Sequence, residues 1–202
     1  MEYNDFEKIN YIAGIDVSNN LRDPENLLYA GIVVFSFPNL EVIEKVCSIQ
    51  KSSFPYVSGL LAFREAPVII EAMEKLKTHV DVFIFDGHGI AHPRKLGIAS
   101  HVGVLTNRVT VGCAKSILVG KPEGNLSDTK GSYIPLVWKN KVIGNVVRTK
   151  DRVKPVYVSS GHKISLESAT KLILSCTNKY RIPEPTRLAH QYANEIRINN
   201  YC

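Results

Sequence analysis

The chain has no apolar stretch near the ~20 residues a helix needs to cross a lipid bilayer. Its purely apolar runs span only a handful of residues. It has no CxxC: the four cysteines, Cys47, Cys113, Cys176 and Cys202, stand 66, 63 and 26 positions apart. That spacing excludes a zinc knuckle and a thioredoxin motif. The cysteines sit among apolar residues and read as small core side chains of a reduced, cytosolic protein. The first ten residues are polar and mixed in charge, unlike a signal peptide. There is no Walker A loop, because residues 112–116 lack its first glycine and its Gly-Lys pair. His88 and His92 are four apart, but Gly89 and Pro93 make a regular helix there unfavourable, so no zincin-type pair exists. No repeat or low-complexity tract is present.

What remains is ordinary globular composition: 202 residues, 45% hydrophobic and 22% charged. This length fits one domain spanning residues 1–202. The net charge of +6 fits a polyanionic partner without identifying one.

The pattern along the chain predicts an α/β fold. Residues 11–17, 29–37 and 40–49 read as strands of an antiparallel meander, with a turn at Pro38-Asn39. Ile69, Ala72, Met73 and Leu76 mark one helical face, with Pro67 in its first turn. Val82-Phe83-Ile84-Phe85 reads as a strand buried on both sides. Leu96, Ala99, Val102 and Leu105 suggest a helix with a cationic start at His92-Pro93-Arg94-Lys95, and residues 109–114 another strand. Helix, strand, helix, strand is the rhythm of a βαβ crossover. A polar loop over 120–131 precedes a hairpin around Lys139-Asn140-Lys141 and a short strand at 155–158. A helix over 166–176 has Ser165 as N-cap, and Thr186 is expected to cap a last short helix.

Three carboxylates could carry chemistry. Asp16 lies in an apolar strand, where a carboxylate is costly unless paired or bound to metal. An aspartate opening a turn with Ser18-Asn19-Asn20 reads equally well. Asp86 ends the buried strand before Gly87-His88-Gly89; ligands of α/β sheets bind beyond such strand ends, and a plain Asp-Gly turn is the alternative. Glu65 precedes the first expected helix, where it could favour the dipole or pair with Arg64. Together the three could hold Mg²⁺, which takes oxygen ligands and bridges phosphates. Lys115, at the end of the next strand, could neutralise phosphate charge or lie on the surface. The positive run from Trp138 to Lys154 could track a phosphate backbone or be the solvated face of a hairpin.

These pieces resemble the endonuclease V family. The carrying residues are 12–18 (IAGIDVS), 55–67 (PYVSGLLAFREAP), 82–101 (VFIFDGHGIAHPRKLGIASH), 109–120 (VTVGCAKSILVG), 160–165 (SGHKIS) and 180–187 (YRIPEPTR), in family order over nearly the whole chain. The resemblance implies a ribonuclease H-like fold and a metal-dependent endonuclease using Mg²⁺, with Mn²⁺ as a substitute. It implies nicking at the second phosphodiester bond 3′ to deoxyinosine, leaving 3′-hydroxyl and 5′-phosphate ends for downstream repair enzymes. An inosine-specific endoribonuclease acting on RNA is the alternative. A non-catalytic nucleic-acid-binding domain would lack carboxylates or lysine that are present here. A cytoplasmic monomer with no membrane partner is expected.

By motif position, Asp16, Asp86 and Glu65 match the family's metal-binding carboxylates, Lys115 its lysine at the scissile phosphate, and His162 a histidine near the active site. Tyr56 matches the wedge that props the strands apart. Gly59, Leu61, Gly87, His92 and Ile98 match positions around the flipped base. The wedge usually reads Pro-Tyr-Ile-Pro; Val57-Ser58 here removes a φ constraint, which is expected to leave it more mobile. Only ten residues precede Tyr11, so contacts of a longer N-terminal helix are expected to be absent or replaced.

Overall fold

In a computed structural model, residues 8–20, 24–55, 57 and 59–202 are described. The meander forms as expected. Strands β1 (Tyr11–Asn19), β2 (Leu27–Ser36) and β3 (Val42–Lys51) pair antiparallel in sequence order. The four-residue β4 (Val82–Phe85) is buried at every position and pairs parallel to β1 on one side and to β5 (Thr110–Ala114) on the other. The sheet continues through β9 (Val156–His162), β8 (Lys141–Val147), β7 (Tyr133–Trp138) and a two-residue β6 (Lys121–Pro122). The full order is β3-β2-β1-β4-β5-β9-β8-β7-β6. This mixed sheet, with its meander, parallel centre and flanking helices, is the expected ribonuclease H-like fold.

The sheet is sandwiched because alternate side chains of its central strands feed two cores. Ile12, Val33, Phe35, Val82 and Ile84 pack with Leu172 and Ile173 of α3 (Leu166–Ser175) and Ala189 of α4 (Glu184–Asn199). Ala13, Ile15, Ile32, Phe83 and Phe85 pack with Ala66 and Ile69 of α1 (Leu61–Glu74) and Ala99 and Val102 of α2 (Ile98–Thr106). This two-sided burial explains why β4 reads as a continuous apolar run rather than an alternating one.

Several boundaries differ from expectation. Helix α1 starts at Leu61, so Pro67 lies in its interior and Glu65 belongs to the helix instead of preceding it. Pro67 is exposed, which leaves the carbonyl it cannot pair within reach of solvent. Helix α2 starts at Ile98 behind Gly97, so the His92–Lys95 segment is a turn before the helix and not its first turn. Strand β9 runs on to His162, held by its register with β5. Helix α4 is 16 residues long and begins at Glu184, with Pro185 in its first turn; Thr186 is buried inside that turn, its hydroxyl donating to the Pro183 carbonyl. Proline here starts a helix because its missing N–H has no partner in a first turn anyway. The expected Ser165 cap of α3 is present, its Oγ accepting from Ser168 N. The β7–β8 hairpin turns through Lys139 and Asn140, both at positive φ.

The cysteines divide. Cys113 and Cys176 are buried free thiols, and burial pushes both pKa values up. Cys47 and Cys202 are joined in a disulfide, against the expectation of four reduced core cysteines. Their 155-residue separation hides a meeting made only when the tail beyond α4 returns to β3. The bond from Tyr29 Oη to Asn200 Oδ1 supports that return.

Candidate active site

Parallel pairing of β1 with β4 and of β4 with β5 lines up the carboxyl ends of three strands. Asp16 is on β1, Asp86 directly follows β4, and Lys115 directly follows β5. The Asp86 N–H donates to the Ile15 carbonyl at 3.1 Å, which fixes the Asp86 backbone beside that of Asp16. Lys115 Nζ forms an ion pair with Asp86 Oδ2.

The third side of the site comes from α4, for a reason visible in β1 and β2. A Cβ on Gly14 would stand 2.0 Å from the Pro185 carbonyl oxygen, and one on Gly31 would stand 2.9 Å from Ala193 N. Both strand glycines let the helix backbone lie directly on the sheet. Gly31 is the register partner of Asp16. With α4 seated this closely, His190 Nδ1 lies 2.6 Å from Asp16 Oδ2.

The electrostatics are those of a site short of positive charge. Asp16 has a raised carboxyl pKa, chiefly from burial and then from Asp86, partly offset by His190 and Lys115. Glu65 on α1 is pushed up to about 8 by burial, then by Asp16, with a smaller push from Asp86. Two carboxyls, Asp16 and Glu65, pushed up by burial and by neighbouring carboxylate charge mark a site where a cation would be favourable. Asp16, Asp86 and His190 each offer a ligand atom, all within 4.8 Å of one another. The oxygen-rich donor set fits a hard divalent cation.

Beside the carboxylates lies a cavity of about 250 Å³. Gly59, Leu61, Gly87, His92 and Ile98 all line it. Arg94 Nη1 donates to the Gly59 carbonyl at 2.9 Å and so ties the two loops that form its mouth. Burial pushes the His88 and His92 pKa values down. His88 Nε2 sits 3.0 Å from the Ser116 carbonyl, one residue past Lys115.

The structure thus brings together Asp16, Asp86 and Lys115, with Glu65 coupled to the two aspartates through their charges. It does not bring His162 to them. His162 pairs with Thr110 at the start of β5, whereas the carboxylates lie beyond the far ends of β4 and β5, and its Cβ packs against the Gly103 position of α2. The histidine at the carboxylates is His190, which the motif reading passed over. A polar stripe of His190, Asn194 and Arg197, at i, i+4, i+7 beside the buried Ala189, Ala193 and Ile196, was the signal for it. Tyr56 and Ser58 lie outside the described residues. Arg64 is buried instead of pairing on the surface with Glu65, and its guanidinium donates to the Phe54 carbonyl and Asn26 Oδ1. Within the basic run, Arg148 is committed to Asp128 and the Ser127 carbonyl, while Lys139 and Lys141 are exposed. Among the described residues, no helix is long and apolar enough to cross a membrane.

The sequence profile of the Endonuclease V family matches residues 1–191. Endonuclease V of Gloeobacter violaceus is 50% identical over 191 residues, covering 95% of this chain and 78% of that protein. The crystal structure of an endonuclease V from Bacillus subtilis superposes with a TM-score of 0.91 at 38% identity, covering 96% of this chain and 83% of that one. Endonuclease V of Ciona intestinalis, in complex with a 23mer DNA containing an inosine followed by a ribo-adenosine, gives a TM-score of 0.84 at 32% identity, covering 96% and 88%.

Proposed function

The chain belongs to the endonuclease V family, whose members are nucleases, and from that premise we propose that it nicks DNA at the second phosphodiester bond 3′ to deoxyinosine, leaving 3′-hydroxyl and 5′-phosphate ends. The observation that carries this reading is the convergence of Asp16, Asp86 and Lys115 at one sheet end beside the cavity lined by Gly59, Gly87, His92 and Ile98. One part can hold a lesion base while the other addresses a phosphate.

Asp16, Asp86 and Glu65 would hold a divalent cation, Mg²⁺ with Mn²⁺ as a substitute. The bound ion supplies an activated water and charge neutralisation at the phosphate. Lys115, which pairs with Asp86, donates to the phosphate as charge builds on it. Inosine pairs less well than adenine, so drawing it from the stack costs less than flipping a normal base. Tyr56 fills the gap it leaves. The cavity is lined by apolar side chains such as Leu61, Phe63 and Ile98 and by glycine-bearing loops, with Arg94 at its mouth, so it suits the flat apolar face of a purine. The enzyme acts as a monomer and leaves the base in place for downstream repair.

A second reading, inosine-containing RNA as substrate, draws on the Ciona complex, whose DNA carries a ribo-adenosine after the inosine. Cleavage-site mapping on matched inosine DNA and inosine RNA, with Mg²⁺ and with chelator, decides between them. A single cut two bonds 3′ to inosine in DNA, lost with chelator, is expected. Cleavage confined to RNA would replace the first reading with the second, and no inosine-dependent cut in either would refute both.

A further inference from the structure

His190 reaches Asp16 as the end of a chain of hydrogen bonds that starts at Arg197, near the far end of α4. Arg197 Nε donates to Ser18 Oγ at 2.9 Å, and Ser18 Oγ lies 2.8 Å from Asn194 Oδ1. Arg197 Nη2 also reaches Asn194 Oδ1, at 3.5 Å. A guanidinium only donates, so Ser18 accepts from it and has one proton to give, which goes to Asn194. That fixes the amide: its oxygen faces Ser18 and Arg197, and its nitrogen faces His190. Asn194 Nδ2 is 3.1 Å from His190 Nε2 and 3.0 Å from the His190 carbonyl. A donor facing Nε2 requires a lone pair there, which leaves Nδ1 as the ring's donor, 2.6 Å from Asp16 Oδ2.

We propose that Asn194, oriented by Ser18 and Arg197, is a positioning residue that commits His190 to donate to Asp16, so that His190 orients this carboxylate and does not itself ligate the metal. Both imidazole nitrogens are occupied: Nε2 accepts from Asn194, and Nδ1 carries the proton given to Asp16. The proximity of Asp16, Asp86 and His190 within 4.8 Å is then two oxygen ligands plus a hydrogen-bond donor that sets the rotation of one of them. Outer partners of this kind commonly change metal affinity by ~10–100-fold when removed. The inference rests on Asp16 and Asp86 being the metal-holding pair.

The test uses the full chain labelled with ¹⁵N-histidine, with His190→Asn as the assignment control. The His190 resonances are expected to show Nδ1 as donor and Nε2 as acceptor, and to keep that arrangement in saturating Mg²⁺. With Mn²⁺ alone as the probe, electron-spin-echo spectra are expected to show no directly bound nitrogen. Asn194→Ala and Arg197→Ala are expected to weaken Mn²⁺ binding by about tenfold and to let the ring exchange between tautomers. Asn194→Asp, which can only accept at that place, is expected to bring a proton onto Nε2 as well, so that Nε2 donates to it while Nδ1 still donates to Asp16. Asn194 is a half-buried helix position, so these variants retain the fold, and a thermal melt checks it. A directly coupled nitrogen in the wild type, or Asn194→Ala with unchanged tautomer and Mn²⁺ affinity within twofold, would overturn the relay alone. A wild type that binds no Mn²⁺, or an Asp86→Ala variant that binds it undiminished, would overturn the metal-site reading and the relay with it.

Discussion

Glu65 is the side chain on which the charge logic of the site can be measured without substrate. In the fold its carboxyl is held near 8, against an ordinary value of 4.5. A carboxyl whose folded pKa is raised takes up a proton on folding, so its contribution turns against the fold as pH rises through that interval. Linkage puts the cost at about 0.9 kcal/mol at pH 5 and about 4.4 kcal/mol at pH 8, a difference of about 3.5 kcal/mol. Glu65→Gln keeps the shape and removes the charge. In chelator, the melting temperature of the variant is expected to rise relative to wild type between pH 5 and pH 8. At ~2–4 °C per kcal/mol for a chain of this size, the gap opens by up to about 7–14 °C. The raised pKa of Asp16 acts in the same direction but is common to both proteins. Saturating Mg²⁺ should narrow or reverse the gap, because an ionised Glu65 then faces a cation. A gap that stays flat with pH in chelator, or that opens toward low pH, would refute the assignment of Glu65 to a buried, like-charged cluster.

Three further outcomes follow from the same geometry. Asp86→Ala should abolish nicking of an inosine duplex while retaining most binding in a gel-shift assay; retained nicking removes Asp86 from the chemistry. Gly14→Ala places a methyl 2.0 Å from the Pro185 carbonyl oxygen, so it should cost about 1–3 kcal/mol in denaturant melts. It should also weaken Mg²⁺ binding by displacing α4 and with it His190; a wild-type melt would show that α4 need not lie flush on β1. Ser165→Ala removes the bond from Ser168 N to the cap hydroxyl and should cost about 1 kcal/mol with no change in activity per folded molecule. A loss of activity larger than the loss of folded protein would contradict a purely structural cap.

The long motifs were legible because each is contiguous: an apolar strand, a strand-end aspartate and a glycine turn fall within a few residues, as at residues 82–89. The Ser165 cap and the β7–β8 turn were legible for the same reason, since a cap or a turn is decided by four neighbouring residues. Boundaries failed where a local rule met a tertiary one. Pro67 normally marks a helix start, yet burial of Ala62 and Ala66 against the sheet carries α1 back to Leu61. His162 was misplaced because a motif gives a residue its order in the chain, and β9 delivers that residue to the wrong end of β5.

By itself the sequence determined the alternation of strands and helices, the two-sided burial of β4, and the presence of carboxylates and a lysine at strand ends. Those are properties of residues close in the chain, where side-chain periodicity and turn chemistry act directly. Only the tertiary structure decided that His190 meets Asp16 across 174 positions and that Cys202 meets Cys47 across 155. Both meetings depend on α4 lying directly on β1 and β2, and that close approach is permitted by Gly14 and Gly31, which carry no side chain to hold the helix off.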